Sequence, residues 1–420
     1  MKILWIVNTI FPYPAKQIGL KEDCFGGWLN GLADNLKKEQ GIELAIATVY
    51  NCDEIKKYND SNITYYLIPG GLSLKYNKEQ EKYWRDVQKE FKPDLVHIHG
   101  TEYAHGLAFI NANLTTKVVV SIQGLVYRYA DVYLANIPEK EVIRNITFRD
   151  IVKRDNLFQA KRKFEKRGEI EKQIIKKADA IIGRTTWDYA NAKAIKPDLV
   201  YYKCNETLRG SFYQDEWNIN NIERHSIFVS QGSYPIKGLH YMLETLKILK
   251  EKYPDIKLYV GGTNITDTST LKAKIKLSGY GKYLRKLINK YELSENIIFT
   301  GLLDEKKMKE KFLKSNVFVL PSAIENSSNS LGEAMILGMP CVATNTGGTT
   351  DILEHNKEGF LYPYTEPAIC AEYINRFFEN DELAIKMGKN ARKTAMERHN
   401  EKSNVEDTIK IYKTIIESEE

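Results

Sequence analysis

Residues 316–337 read NVFVLPSAIENSSNSLGEAMIL, and the order of elements within this stretch decides the fold. Its first five residues are mostly apolar and are followed by Pro321, which predicts a short buried strand. From residue 331 onward apolar side chains recur at helical spacing, and Gly338 and Pro340 then end the predicted helix. A strand, a polar loop and a helix in this order are typical of a parallel α/β sheet.

Two carboxylates belong to this stretch, Glu325 in the loop and Glu333 in the first turns of the helix. The start of a helix directs free backbone N–H groups and the positive end of the helix dipole toward an anion. Such a segment can bind a phosphate on backbone amides while the carboxylates hold hydroxyl groups, and sugar nucleotides carry both. Two glutamates at this spacing are more often a loop acid and a solvated helix residue, so the rest of the chain has to support the functional interpretation.

The bulk composition describes a soluble protein of two domains. The chain has 420 residues, of which 43% are apolar and 28% charged, and its net charge is +6. This length exceeds the size at which a single core stops growing. The five cysteines are scattered without a C-x-x-C pair, which fits a reducing cytoplasm better than a disulfide framework or a metal site.

Short apolar strands alternate with amphipathic helical patterns, which predicts two parallel sheets with helices on both faces. The predicted strands are Lys2–Asn8, Glu43–Val49, Thr64–Ile68, Asp94–His99, Lys117–Gln123, Ala180–Gly183, Leu199–Lys203, Ser226–Gln231, Lys257–Gly261, Asn296–Thr300, Asn316–Leu320 and Cys341–Thr344. We expect a first Rossmann-like domain at residues 1–208, a second at 209–400, and a C-terminal helix at 401–420 that packs back on the first.

Glycines and a lysine follow several of these strands. A nicotinamide-binding enzyme would place G-x-G-x-x-G directly after the first strand, but here the first strand ends at Asn8 and the next glycine is Gly19, which disfavours a redox function. Gly26 and Gly27 precede a helical pattern and would let a phosphate or sugar approach the backbone closely. Lys237 follows the predicted strand that ends at Gln231 and can neutralise a diphosphate. Taken alone, Gly26 and Gly27 are explained by an ordinary turn, and Lys237 by a lysine exposed to solvent.

His97 and His99 end the predicted strand Asp94–His99. We interpret them as strand-end histidines on opposite faces, a poor arrangement for a shared metal, and a role for His99 in a cleft stays open. No D-x-D motif occurs in the chain. We therefore expect no metal, and no cofactor besides a donor substrate.

Residues 140–177 contain more than twice as many basic as acidic residues, with apolar residues at roughly helical spacing. A solvated helix packed on its own domain would explain this pattern, and so would a segment that lies on an anionic membrane surface. No recognisable nucleic-acid-binding module occurs, so nucleic acid is not an expected partner.

Together these features resemble the retaining GT-B glycosyltransferases often called family 4, most strongly at residues 318–353. The resemblance spans nearly the whole chain and implies an α/β GT-B fold, with two Rossmann-like domains whose parallel sheets face a central cleft. It implies that Glu325 is catalytic and holds hydroxyls of the transferred sugar, and that Glu333 binds the ribose of the nucleotide.

The other donor-binding residues follow from the same resemblance. They are Gly26, Gly27, Lys237, Asn329, Ser330 and Leu331. The two glycines match the family's first-domain loop, the lysine matches its diphosphate ligand, and the last three residues would offer backbone amides to the diphosphate. Residues 296–301 resemble the strand and turn beside which the base stacks.

Three positions depart from the family's pattern. The run Ser230-Gln-Gly-Ser233 replaces the usual arginine before the lysine loop, so Arg184 or Arg209 would have to supply that charge. The middle of the acidic motif, commonly Phe-Gly, is Ser327-Ser328. Gln123 occupies the place of the active-site histidine.

Glutamine carries no proton at neutral pH, so Gln123 cannot act as a general base. In the front-face mechanism proposed for retaining enzymes of this type, the departing phosphate oxygen takes the acceptor's proton. Gln123 would then be a catalytic residue that orients the reacting groups.

The sequence therefore predicts a cytoplasmic, metal-independent, retaining hexosyltransferase, for which a peripheral position at the inner membrane face stays open as an alternative. Its donor would be a UDP- or GDP-linked sugar and its acceptor a glycan or a lipid-linked molecule, in cell-surface polysaccharide assembly. Two alternatives stay open: a GT-B isomerase acting on a sugar nucleotide, and a degenerate, non-catalytic fold that binds a glycan or a protein partner.

Overall fold

The structure, a computed structural model, describes residues 1–20, 27–72, 75–113 and 115–418. The chain divides into two compact units. Unit 1 comprises residues 1–128, 163–208 and 399 onward, and unit 2 comprises residues 129–162 and 209–398.

The strands are β1 (Lys2–Ile6), β2 (Glu43–Tyr50), β3 (Lys56–Asp60), β4 (Ile63–Pro69), β5 (Leu95–His99), β6 (Lys117–Ser121), β7 (Ala180–Gly183), β8 (Tyr201–Lys203), β9 (Glu223–Val229), β10 (Lys257–Val260), β11 (Ile297–Phe299), β12 (Ser315–Leu320), β13 (Cys341–Thr344) and β14 (Phe360–Tyr362).

The helices are α1 (Pro12–Gln17), α2 (Gly27–Leu36), α3 (Gln80–Phe91), α4 (Ala104–Ala112), α5 (Val126–Asp131), α6 (Glu139–Arg144), α7 (Phe148–Lys153), α8 (Leu157–Lys177), α9 (Thr186–Ile195), α10 (Leu239–Lys250), α11 (Leu271–Lys276), α12 (Gly279–Lys290), α13 (Glu305–Lys314), α14 (Asn329–Ile336), α15 (Pro367–Glu379), α16 (Asp381–Arg398) and α17 (Glu401–Glu417).

The described strands of unit 1 form one sheet in the order β3-β4-β2-β1-β5-β6-β7-β8. All neighbours in it are parallel except β3 and β4, which form an antiparallel pair at the edge. The sequence analysis missed β3, because its residues Lys-Lys-Tyr-Asn-Asp are polar, as suits an edge strand that faces solvent.

Helices cover both faces of this sheet, so its central strands are apolar on both sides. In β1, Trp5 belongs to one apolar cluster while Leu4 and Ile6 belong to the cluster on the other face. Helix α17 contributes Tyr412 to the first cluster, where the Tyr412 hydroxyl accepts a hydrogen bond from Trp5 Nε1 at 3.0 Å.

The described strands of unit 2 form a parallel sheet in the order β11-β10-β9-β12-β13-β14. The strand order reverses between β9 and β12, and ligands of parallel α/β sheets bind at such a switch point, outside the carboxyl ends of the strands. Lys237 lies in the loop that follows β9, and Glu325 lies in the loop that follows β12. The topology of unit 2 thus brings the two loops to the same edge of the sheet.

Residues 129–162 belong to unit 2, although in the chain they precede the boundary expected at 208/209. Within unit 2, α6 packs on α12 and α7 packs on α11. The carboxylate of Asp150 in α7 accepts a hydrogen bond at 2.9 Å from the backbone N–H of Gly279, the first residue of α12. Such long-range contacts assign the segment to unit 2, and no local pattern in the sequence encodes them.

Candidate functional site

Lys237 and Glu325 form an ion pair at the switch point of unit 2. Lys237 Nζ lies 2.5 Å from Glu325 Oε1. The hydroxyl of Ser322 donates a second hydrogen bond to the same carboxylate oxygen at 2.7 Å. Both charged side chains are largely buried, at 18% and 11% exposure. The structure thus brings together two residues that the sequence analysis assigned to one site.

The loops after β9 and β12 are joined by their backbones. Ala323 N–H donates to the carbonyl oxygen of Ile236 at 2.7 Å. Gly238, at φ +69°, packs so closely on Pro321 that a Cβ at position 238 would overlap the Pro321 carbonyl oxygen. Only glycine fits there, and this close approach fixes Lys237 beside the acidic loop.

A third loop, after β13, holds the backbone of Glu325. Gly348 N–H donates to the carbonyl oxygen of Glu325 at 2.9 Å. Gly347 adopts φ +57°, and a Cβ there would overlap the same carbonyl oxygen. Thr344 Oγ1 donates to the carbonyl oxygen of Ser322 at 2.6 Å. Glu325 is therefore positioned through both its backbone and its side chain.

Lys237 is charged in this setting. Burial by itself would lower its pKa, but the neighbouring Glu325 and Tyr234 raise the pKa above the ordinary lysine value. The Tyr234 ring centroid lies 5.8 Å from Lys237 Nζ. Tyr234 also lines a cavity of about 430 Å³ in unit 2, together with residues that follow β10 and residues of 149–160. Tyr234 thus lies beside both the pair and this cavity, which Lys237 and Glu325 themselves do not line.

Glu333, in α14, is held by Arg209. Arg209 Nε and Nη2 donate to the two carboxylate oxygens, each at 2.6 Å. Burial raises the pKa of Glu333, while Arg209 opposes that shift. An ionised carboxylate offers about four lone-pair positions. Because Arg209 takes two of them, Glu333 keeps capacity to accept hydrogen bonds from ligand hydroxyls.

Helix α14 begins at Asn329, with Ser328 as its N-cap. Ser328 Oγ accepts a hydrogen bond from the Leu331 N–H at 3.4 Å. Asn329 and Ser330 form the first turn with Leu331, at the helix end where the dipole favours an anion. The three residues predicted to meet the diphosphate thus open the helix that carries Glu333.

In unit 1, Gln123 belongs to a polar cluster with Arg184 and Glu206. Gln123 Nε2 donates to Glu206 Oε1 at 2.8 Å, and Arg184 Nη2 donates to the Gln123 carbonyl oxygen at 3.0 Å. Arg184 Nη1 lies 2.5 Å from Glu206 Oε2. The two arginines considered for the missing charge therefore each hold a glutamate, Glu206 for Arg184 and Glu333 for Arg209.

The glycine loop of unit 1 is described only in part. Gly26 lies outside the described residues. Gly27 is the first residue of α2, whose buried face carries Leu29, Ala33 and Leu36.

The fold and one domain match known proteins. Residues 212–394 match the family model described as glycosyl transferases group 1. Over 99% of both chains, the structure superposes with a TM-score of 0.71 on the sucrose-phosphate synthase of Thermosynechococcus elongatus, at 16% identity. The chain has the GT-B fold.

Two further proteins, one solved structure and one sequence relative, are similar to most of the chain. The Anabaena protein HepE, solved in complex with UDP-glucose, matches with a TM-score of 0.66 at 15% identity, over 99% of this chain and 100% of that one. The Bacillus subtilis protein YtcC, which carries a glycosyltransferase name, is 24% identical over 403 residues, or 94% of this chain and 87% of its own. The family model and the name of YtcC support a glycosyltransferase, and the solved structures support the GT-B fold.

His97 and His99 lie on the same face of β5, with ring centroids 3.7 Å apart. The expectation that they occupy opposite faces is wrong, because residues two apart in a strand point the same way. His97 bonds Tyr412 and Ser121 through its two ring nitrogens, each at 2.6 Å, and burial lowers its pKa to about 3. It is a neutral structural residue of unit 1.

The described residues contain neither a cluster of metal-binding side chains nor a membrane-spanning helix. Across residues 1–20, 27–72, 75–113 and 115–418, no three or more His, Cys, Asp and Glu side chains gather as metal ligands would. In that part of the chain, no helix is both long and apolar enough to cross a bilayer.

Sequence reasoning missed several residues of the site. Ser322, Tyr234 and Glu206 contact the predicted residues but belong to no motif, and Arg209 entered only as one of two arginines. The contacts span large sequence separations, such as 124 residues between Arg209 and Glu333. The only local signal is position, since Ser322 and Tyr234 lie in loops that follow predicted strands.

Proposed function

We propose that this protein is a retaining glycosyltransferase that moves a hexose from a UDP- or GDP-linked donor to a glycan or lipid-linked acceptor, in cell-surface polysaccharide assembly. The observation that carries the proposal is the Lys237–Glu325 ion pair at the switch point of unit 2. A buried cation beside a buried carboxylate, on the loops where parallel sheets bind ligands, suits a molecule with both phosphates and hydroxyls.

Lys237 neutralises the diphosphate of the donor. Without a ligand its ammonium group is held by Glu325. A diphosphate carries more negative charge than one carboxylate, so it competes for the same ammonium group. The Glu325 carboxylate then accepts hydrogen bonds from the hydroxyls of the sugar, next to the anomeric carbon where positive charge develops.

The start of α14 and the Arg209–Glu333 pair hold the rest of the donor. Backbone amides of residues 329–331 receive the diphosphate at the positive end of the helix dipole. Glu333 accepts hydrogen bonds from the ribose hydroxyls with the lone pairs that Arg209 leaves available. Arg209 thereby fixes the orientation of the carboxylate.

The transfer needs no protein base. The acceptor oxygen forms a bond to the anomeric carbon on the face from which the phosphate oxygen departs, so the anomeric configuration is retained. The departing phosphate oxygen takes the acceptor's proton, which balances the step. Gln123 cannot take that proton, so its role is to orient the reacting groups. Its own side chain is held by Glu206, and its backbone carbonyl by Arg184. No step of this scheme uses a metal.

The comparisons support a nucleotide-sugar donor through HepE, which shares the fold and was solved with UDP-glucose. They support glycosyl transfer through the group 1 match, which covers Lys237, Glu325 and Glu333.

The test is incubation of the protein with UDP- and GDP-hexoses, with and without glycan and lipid-linked acceptors. We expect release of the nucleoside diphosphate and a product of unchanged anomeric configuration by NMR. Glu325→Ala should lower turnover by roughly 10²-fold, as the loss of a transition-state contact does, while Glu310→Ala on the exposed side of α13 should not. Epimerised donor would indicate the isomerase, and no reaction with any donor would indicate a non-catalytic protein.

A further inference from the structure

Two neighbouring parts of unit 2 present large apolar side chains to solvent. One is residues 143–154, which include α7, and the other is α11, which packs on α7. The exposed apolar residues are Ile143 at 60%, Phe148 at 77%, Ile151 at 65%, Val152 at 63%, Leu271 at 74% and Ile275 at 60%. Single exposed apolar residues are ordinary, but six on adjacent short helices mark an interaction surface.

The charged residues exposed among them are all basic. They are Arg144, Lys153, Arg154, Lys272, Lys274 and Lys276. The only acid of residues 143–154 is Asp150, which is buried and bonded to Gly279 N–H, and residues 271–276 contain none. We call these six apolar and six basic residues the α7/α11 surface.

The fold holds this surface in an ordered arrangement. Thr147 caps α7, and Asp150 completes the capping box by accepting from the Thr147 N–H at 3.1 Å. Asp150 also accepts a hydrogen bond from the Gly279 N–H at the start of α12, so the first turn of α7 is tied to α12. Apolar side chains on a capped, anchored helix cannot turn inward to reach the core.

We propose that the α7/α11 surface docks on a lipid bilayer that carries anionic headgroups. Apolar side chains ringed by lysine and arginine match the interface of such a membrane, since the rings and aliphatic groups enter the acyl boundary while the basic groups meet the phosphates. The inference does not depend on the proposed function. It also limits the membrane contact considered for residues 140–177 to the first part of that segment. Ile174 and Ile175 of α8, near its end, are fully buried in unit 1 and cannot reach a bilayer.

Charge argues against two other occupants. If a second copy covered the surface symmetrically, six basic side chains would face six others, and like charges across an interface oppose association. Nucleic acid would pair with the lysines but would offer little to Phe148 or Ile151, because its outer surface is phosphate.

The test is co-sedimentation of the full chain with phosphatidylcholine vesicles, with and without phosphatidylglycerol. We expect binding only to the anionic vesicles. The double variant Phe148→Ser/Ile151→Ser should bind at least tenfold more weakly, and Lys272→Glu/Lys274→Glu likewise. Two matched controls, Ile248→Ser on α10 and Lys386→Glu/Lys389→Glu on α16, change exposed residues of unit 2 away from this surface and should bind as the original chain does.

Circular dichroism and analytical ultracentrifugation of each variant complete the design. Original-level binding by the folded Phe148→Ser/Ile151→Ser variant overturns the proposal, as does absence of binding by the original chain. If the original chain is a dimer that this variant dissociates, and neither binds vesicles, a second copy covers the surface and the proposal is wrong. Hexosyl transfer to a water-soluble acceptor is measured separately, so the failure of either proposal is distinguishable from that of the other.

Discussion

The ammonium nitrogen of Lys237 lies 2.5 Å from the carboxylate of Glu325, although 88 residues separate the two in the chain. Each follows a strand of unit 2, and those strands, β9 and β12, are neighbours at the point where the strand order reverses. The pair therefore connects the two halves of the second sheet at the edge where parallel α/β sheets bind their ligands. The contribution of the pair to the stability of unit 2 and its proposed role in catalysis can be measured independently.

A double-mutant cycle tests the pair. Lys237→Met and Glu325→Gln each leave one buried charge without its partner, so each should destabilise unit 2, whereas the double variant should lose less than the sum. We expect a coupling free energy of about 1–3 kcal/mol from urea unfolding. The same cycle at Lys252 and Glu379, a pair about half exposed, should give no measurable coupling. Equal coupling in the two cycles would contradict the structural importance of the buried pair.

Gly347→Ala should disturb Glu325 through its backbone. Alanine at φ +57° is strained, and its Cβ would also overlap the Glu325 carbonyl oxygen. Gly41→Ala is the control, because Gly41 adopts φ +80° but faces open space. We expect both variants to melt at lower temperature, with the larger decrease and a loss of transferase turnover only for Gly347→Ala. Identical behaviour of the two would mean that the close approach has no consequence.

Arg209→Lys should weaken the binding of nucleoside diphosphates. Lysine cannot reproduce the two parallel hydrogen bonds to Glu333, so the carboxylate loses its fixed orientation. Titration calorimetry with UDP and GDP should show roughly tenfold weaker binding, the effect of about one charge-assisted hydrogen bond. Arg224→Lys removes the same bidentate geometry from the exposed partner Asp381 and should leave the affinity unchanged. Equal affinity of both variants would argue against a role for Glu333 in donor binding.

Gln123→Ala should cost less activity than Glu325→Ala. The substitution removes one hydrogen bond to Glu206, but Arg184 still holds that carboxylate. We expect turnover to fall roughly tenfold, compared with the roughly 10²-fold loss at Glu325. Steady-state kinetics with saturating donor compare the turnover of the two variants. A larger loss in Gln123→Ala than in Glu325→Ala would show that Gln123 does more in the reaction than orient the reacting groups.

Glu171 should make the stability of unit 1 depend on pH. It is fully buried, and this burial raises its pKa from 4.5 to about 8, although Thr101 and the Tyr127 N–H donate hydrogen bonds to it. The fold thus favours the protonated acid, so its contribution is fully present below pH 4.5 and is lost as the pH rises to about 8. Glu171→Gln should flatten the fall in melting temperature over that window.

Two comparisons make that measurement specific. Glu169→Gln, on the same helix, changes an exposed carboxylate and should keep the pH dependence of the original chain. Glu102 is a second, partly buried acid of unit 1 whose pKa is raised by burial, so a residual slope in Glu171→Gln is expected from it. An unchanged slope in Glu171→Gln would contradict the assignment.

Local pattern was enough to predict most of the strands. The apolar runs at β1, β7 and β13 are short, buried and followed by turn residues, so their periodicity is unambiguous. The pattern failed at β3, whose residues are polar, and at β14, which has three residues. Edge strand β3 is paired by its backbone, which leaves little trace in its polar side chains, whereas β14 (Phe-Leu-Tyr) is apolar but too short to show a period.

The sequence by itself determined that two parallel α/β sheets form and that Glu325, Glu333 and Lys237 follow strands or open a helix, because these properties depend on residues close together in the chain. Only the tertiary structure decided which groups meet: Lys237 with Glu325, Arg209 with Glu333, and residues 129–162 with unit 2. These contacts depend on strand order and long-range packing, which side-chain periodicity does not encode.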